Sequence, residues 1–159
     1  MKLKSHFLMY ILPFFIGCKH PATVNGTYIG LEEIYTTNTK GQKVPYTSPE
    51  NPEAKWFHQS TLTLKSDSAS LQQSPVSITG KDTIFSASDG GFYNYSGTVS
   101  TQNNQHIIIN LTETSCDNCG EIVQKQADGT YKKIPRKKEY EAIVTPQGLT
   151  IQGYLFKKE

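Results

Sequence analysis

Long apolar runs are scarce in this sequence. The one candidate, Phe7 to Ile16, is ten residues long, whereas a helix needs about 20 to cross ~30 Å of hydrocarbon, so a polytopic helical membrane protein is excluded. One-signed charge is lacking as well. The 16 basic residues stand against 14 acidic ones for a formal net charge of +2, which gives no field to hold a nucleic acid, and none is expected as a partner. Catalytic signatures are also missing: there is no nucleophile elbow, Ser-x-x-Lys, His-Glu-x-x-His or phosphate-cradling glycine loop, and a non-enzymatic role is expected. His20, His58 and His106 are scattered without ligand spacing, so neither a metal nor a cofactor is expected. What is present is enough for a fold. Ile, Leu, Tyr and Phe are too plentiful for a disordered tail, and 159 residues support one domain.

The amino-terminal segment reads as a targeting signal. Lys2, Lys4 and His6 form a basic region ahead of the apolar run, the anatomy of a cleavable leader rather than an anchor helix. Phe15-Ile16-Gly17-Cys18 follows. This string resembles a bacterial lipobox, with Phe15 in the place leucine usually takes, and the resemblance implies that Cys18 is diacylated and becomes the mature terminus. Lys19 stands where an aspartate would imply retention at the inner membrane. The expected address is therefore the cell envelope, at the outer membrane of a Gram-negative bacterium, with the lipid as the membrane contact. Each buried methylene of the acyl chains would contribute ~0.8 kcal/mol to anchoring. An ordinary secretory leader with an incidental cysteine is the alternative. The expected division is a signal at 1–17, a lipidated tether at 18–25 and a single domain at 26–159.

Removing the leader takes Lys2 and Lys4 with it and leaves the mature chain balanced in charge. Its bias toward Val, Ile, Thr, Tyr, Phe and Trp over Leu, Ala, Glu and Met suits side chains packed on pleated surfaces. An all-β fold follows. Asn25-Gly26-Thr27-Tyr28 opens a strand to about Tyr35, and Thr36 to Lys55 then lacks alternation, as a functional, disordered or misread connection. Beyond it, Trp56, His58, Ser60, Leu62 and Leu64 share one strand face, and Ala69 to Thr79 forms the next strand, bent at Pro75. Thr83 to Ala87, the turn Asp89-Gly90-Gly91, the alternation Tyr93, Tyr95, Gly97 and Val99, and the run His106 to Thr114 follow. Glu139 to Val144 and Leu149 to Phe156 make the last expected pair, joined at Pro146-Gln147-Gly148. Short connections make sequential strands antiparallel neighbours. Eight to ten strands in meander order predict an up-and-down barrel, with a two-sheet sandwich as the alternative.

From the N-G-T-Y opening, the meander and the lipobox, residues 25 to 157 resemble the small lipocalin-like lipoproteins of bacteria. Asp67-Ser68-Ala69 and Asp82-Thr83-Ile84 are similar to the O-glycosylation signal of Bacteroidetes. True lipocalins start on Gly-x-Trp and pack an arginine on that tryptophan; here Gly26 and Tyr28 stand in the first strand and the one arginine is Arg136.

Few residues carry chemistry. Cys116-Asp117-Asn118-Cys119 reads as a disulfide clasp in an oxidising compartment, with a redox pair and a metal half-site as alternatives. Tyr28, Trp56, Tyr93, Tyr95 and Tyr140 are candidate lining residues for an amphipathic guest, with Phe57, Tyr131 and Tyr154 also available to the barrel interior. Aromatics can equally fill so small a barrel. The basic run Tyr131 to Lys138, through Lys132, Lys133, Arg136, Lys137 and Lys138, suits anionic head groups or a solvated loop. The favoured reading is a non-enzymatic lipoprotein binding an amphipathic small molecule or lipid in or at the mouth of a barrel. An envelope interaction, inhibitor or assembly module and an envelope enzyme using His58 or His106 are the alternatives.

Overall fold

The computed structural model describes residues 24–85, 91–103, 105–117 and 119–159. Every regular element among them is a strand: β1 (Gly26–Glu33), β2 (Tyr35–Thr37), β3 (Lys43–Pro45), β4 (Lys55–Lys65), β5 (Ser68–Thr79), β6 (Asp82–Phe85) and β7 (Phe92–Thr101). There follow β8 (His106–Asp117), β9 (Val123–Lys125), β10 (Tyr131–Lys133), β11 (Lys137–Thr145), β12 (Gly148–Ile151) and β13 (Tyr154–Lys158). Eight of these form a closed antiparallel ring in the order β1, β4, β5, β7, β8, β11, β12, β13 and back to β1. The closing pair sets Tyr28 opposite Lys158. This is the up-and-down, lipocalin-like barrel, and the sandwich alternative falls away because the ring leaves no pair of open sheets. Closure satisfies the edges that a sheet of this length would otherwise expose.

The other strands are side arms. β2 and β3 pair only with each other, as do β9 and β10, while β6 extends β5 beyond its contact with β7. All three arms spring from one rim, since they follow Glu33, Thr79 and Asp117, which end β1, β5 and β8 there. The opposite end has short turns, at Ser66-Asp67 and Pro146-Gln147 among others. The unpatterned stretch after Tyr35 thus includes a small hairpin, too short for alternation to register. Pro75 sits where β5 changes neighbour from β7 to β6, the kind of edge position at which a missing N–H is tolerated.

Leu149 to Phe156 is not the single strand expected: Gln152 (φ 50) and Gly153 (φ 87) fold it into the hairpin β12–β13. Two consecutive positive φ values make a primed turn, usually marked by Asn-Gly or Asp-Gly, and glutamine hides the signal. That turn supplies the strand which meets β1. The expected turn at Asp89-Gly90 lies outside the described residues.

Alternation fills the ring. Leu62, Leu64, Leu71, Ile107, Ile109, Leu111, Leu149 and Ile151 point inward and are almost fully buried, each contributing about 1.5–3 kcal/mol relative to exposure. Of the Ile107-Ile108-Ile109 run, Ile107 and Ile109 are buried and Ile108 is only half-buried, so burial falls on one face rather than both. Tyr28 closes the turn-bearing end, its hydroxyl donating to the Val24 carbonyl at 2.8 Å. The lower barrel is therefore packed.

Candidate functional site

Toward the rim with the arms, the inward-facing positions change character. On β4 the face that carries Leu62 and Leu64 continues through Ser60 and His58; on β5, Leu71 gives way to Gln73; on β8, Leu111 gives way to Glu113. On β11 the same face carries Ala142, Tyr140 and Lys138. Strand pitch thus places His58, Ser60, Gln73, Tyr93, Tyr95, Glu113, Lys138 and Tyr140 in one mouth above an apolar floor. Glu32 of β1 joins them, paired in register with His58.

Two cations enter this mouth and have different surroundings. The Arg136 guanidinium donates from Nη1 to the Glu113 carboxylate at 2.8 Å and from Nη2 to the Gly120 carbonyl. Its carbon lies 5.1 Å from the Tyr93 ring centre. Lys133 stands 3.9 Å from the same carboxylate and 3.3 Å from Glu121. Arg136 is thereby spent on fastening the loop after β8 and the β9–β10 arm to the barrel. Lys138 is not so occupied. Its ammonium donates to Gln73 Oε1 at 2.5 Å and lies 5.0 Å and 6.0 Å from the Tyr95 and Tyr140 ring centres. Gln73 is itself oriented, donating from Nε2 to Ser60 Oγ at 2.8 Å. Among the described residues Lys138 forms no ion pair.

Ionisation follows from these positions. The hydrogen bond from Arg136 holds the Glu113 carboxyl below its ordinary range, against the opposing effect of burial. Burial pulls the Lys138 ammonium below the usual lysine value, with Glu32 opposing and Arg136 adding to the shift. Burial also lowers His58, with Glu32 opposing and Lys138 assisting. The Tyr140 phenol is pushed up to about 12, chiefly by burial and then by Tyr95 and Glu32. The mouth therefore presents the Lys138 ammonium, the paired Arg136 guanidinium, the Glu32 side chain, a neutral phenol and amide and hydroxyl groups to whatever enters it.

Space is distributed unevenly. An open cleft of about 530 Å³ is lined by Glu32, His58, Gln73, Tyr93, Tyr95, Ile122, Arg136, Lys137 and Lys138. A more enclosed pocket beside it, under Gly30, Tyr140 and Phe156, holds only about 30 Å³, room for about two waters. The Phe156 ring lies over Gly30, where a side-chain carbon would collide with it. The barrel is filled below and open above.

The sequence candidates are distributed as follows. Tyr93, Tyr95 and Tyr140 meet in the mouth. Tyr28 lies at the opposite end, and Trp56 packs edge-on against Tyr46 at 5.7 Å, on the extension of β4 beyond the ring. Phe57 faces outward, as the neighbour of an inward Trp56 must, and Tyr131 is exposed on β10; neither lines the interior. The basic run does not form one face. Lys138 and Arg136 turn into the mouth, Lys133 pairs with acids, and Lys132 and Lys137 are exposed. Cys116 and Cys119 form a disulfide with Cα atoms 6.1 Å apart. It pins the loop leaving β8 rather than clamping two paired strands. His58 stands in the mouth, whereas His106 is on the outer wall, 3.2 Å from Glu141, so the two do not form one site. Cys18 lies outside the described residues. Glu32, Ser60, Gln73 and Glu113 were not legible as site residues singly; the available signal was a polar residue interrupting an apolar strand face, as Ser60 does between Trp56 and Leu62.

Comparison of the chain with protein-family models, with curated proteins and with solved structures finds no match.

Proposed function

We propose that this chain is a non-enzymatic envelope lipoprotein whose barrel binds a small amphipathic molecule at its mouth. A closed eight-stranded barrel is consistent with a binding role, since barrels of this size either fill with side chains or hold one small ligand. The observation that carries the reading is the contrast within the ring: a packed apolar lower half beneath a cleft of about 530 Å³ walled by converging polar and aromatic groups. Ligand sites combine those features. A guest at the mouth, rather than threaded through the barrel, fits the filled floor. Native mass spectrometry of the full-length protein gently isolated from the envelope is expected to retain a guest mass. A clean apo mass under conditions that keep the barrel folded would overturn the reading.

The lipobox-like Phe15 to Cys18 string supports attachment to the outer membrane through Cys18. Labelled palmitate is expected to enter the wild-type protein and not Cys18→Ser; an equally labelled variant would refute that attachment. A second reading, an interaction module, is favoured by Ile122, Val123 and Tyr131, which expose 47%, 49% and 67% of their surface on and beside the β9–β10 arm.

A further inference from the structure

An ammonium group in a barrel lumen is costly to desolvate unless a counter-charge accompanies it. Lys138 is half-buried, and among the described residues no acidic side chain lies within ion-pair distance of it. Glu113 is committed to Arg136, and to Lys133 at longer range. Glu32 is exposed and faces both His58 and Lys138, outside ion-pair distance of either. The direct partners of Lys138 are an amide oxygen and two tyrosine ring faces. These groups orient a cation without neutralising it. Ser60 fixes Gln73, and Gln73 fixes the ammonium at the bottom of the open cleft.

Resting on the reading of the mouth as a ligand site, we infer that its guest is a compact organic anion whose carboxylate, phosphate or sulfonate group is taken by Lys138 while its apolar body lies along Tyr93, Tyr95 and Tyr140. Compactness follows from the filled floor: the pocket beside the cleft holds only about 30 Å³, too little for a long acyl chain, and on β4 and β5 the inward positions below Ser60 and Gln73 are taken by the buried side chains of Leu62 and Leu71. The head group is specified by charge and by two aromatic walls. Arg136 lines the same cleft, with its Nη1 held by the Glu113 carboxylate and its Nη2 by the Gly120 carbonyl.

The test uses two aromatic amines that differ in one group, 1-anilinonaphthalene-8-sulfonate and its neutral parent N-phenyl-1-naphthylamine, titrated into the full-length protein. Wild type is expected to bind the sulfonate about tenfold or more tighter, the change that one hydrogen bond to a charged group supplies. Lys138→Met is expected to bind both probes equally, Lys138→Arg to keep the preference and the exposed Lys132→Met to match wild type. Retained preference in Lys138→Met, or equal binding of the two probes by wild type, would overturn the head-group assignment while leaving the mouth as a binding site. Binding of neither probe would count against the mouth reading itself. Thermal melts of each variant separate lost binding from lost folding, and Lys138→Arg carries the decision if Lys138→Met does not fold. Hexanoate is expected to displace the sulfonate probe. Displacement by phosphatidylglycerol vesicles instead would move the same chemistry to a lipid head group and overturn assignment to a free ligand.

Discussion

Arg136→Met is expected to destabilise the barrel by about 3 kcal/mol, the low end of the cost of breaking a buried ion pair. The Glu113 side chain is only 3% exposed and loses its 2.8 Å partner; Lys133, at 3.9 Å and itself 45% exposed, compensates little. The low end applies because the pair lies at the open rim, with little protein above it. In a domain of this size the loss corresponds to a fall of about 10 °C in melting temperature. Pairing the change with Glu113→Gln should recover some of it, because the orphaned charge is then removed. A urea melt of Arg136→Met within about 0.5 kcal/mol of wild type would refute the assignment. The same pair sets a pH dependence. The Glu113 carboxyl is depressed in the folded state, so its stabilisation is present above the ordinary carboxyl value and is lost as pH falls through the depressed one. Acid melts of wild type should show that loss, and those of Glu113→Gln should lack it.

Gly97→Ala is expected to cost more than about 3 kcal/mol, beyond ordinary overpacking, or to prevent folding. Gly97 pairs with Leu111 across β7–β8, just past the register shift at Asn94/Tyr95. A Cβ there would be driven into the carbonyl oxygen of Asn110, which is backbone and cannot rotate away. Relief requires β7 and β8 to move apart, and a closed ring cannot open at one seam without disturbing its neighbours. Gly120→Ala is the control, since nothing lies within 4 Å of its added carbon, and it should melt within about 0.5 kcal/mol of wild type. Equal melting of the two variants would remove the close approach as an explanation.

Much of the ring was legible because alternation is a local property. Trp56 to Leu64, Tyr93 to Val99 and the His106 run each declare an inner face in their own residues. The count of strands was not so legible, since it hangs on Gln152-Gly153, whose positive φ values no common turn signature announces. The mouth was harder still. Lys138 reads as one basic residue in a solvated run until its register beside Leu111 places it in the lumen. Gln73 and Ser60 become partners only through the pairing of β4 with β5. Such neighbours are separated by a hairpin or by half the chain, and a linear pattern carries no record of which strand will lie beside which.

The side arms hang from a single rim, and the two hairpins among them contribute no rung to the closed ladder. Their tips can lengthen, shorten or change composition while the hoop beneath keeps its register, provided that the contacts of Tyr46 with Trp56 and of Lys133 with Glu113 are kept. That makes the scaffold a natural grafting frame: new segments can be installed at Tyr35–Pro45 or Val123–Lys133 without altering the pairing of the eight ring strands.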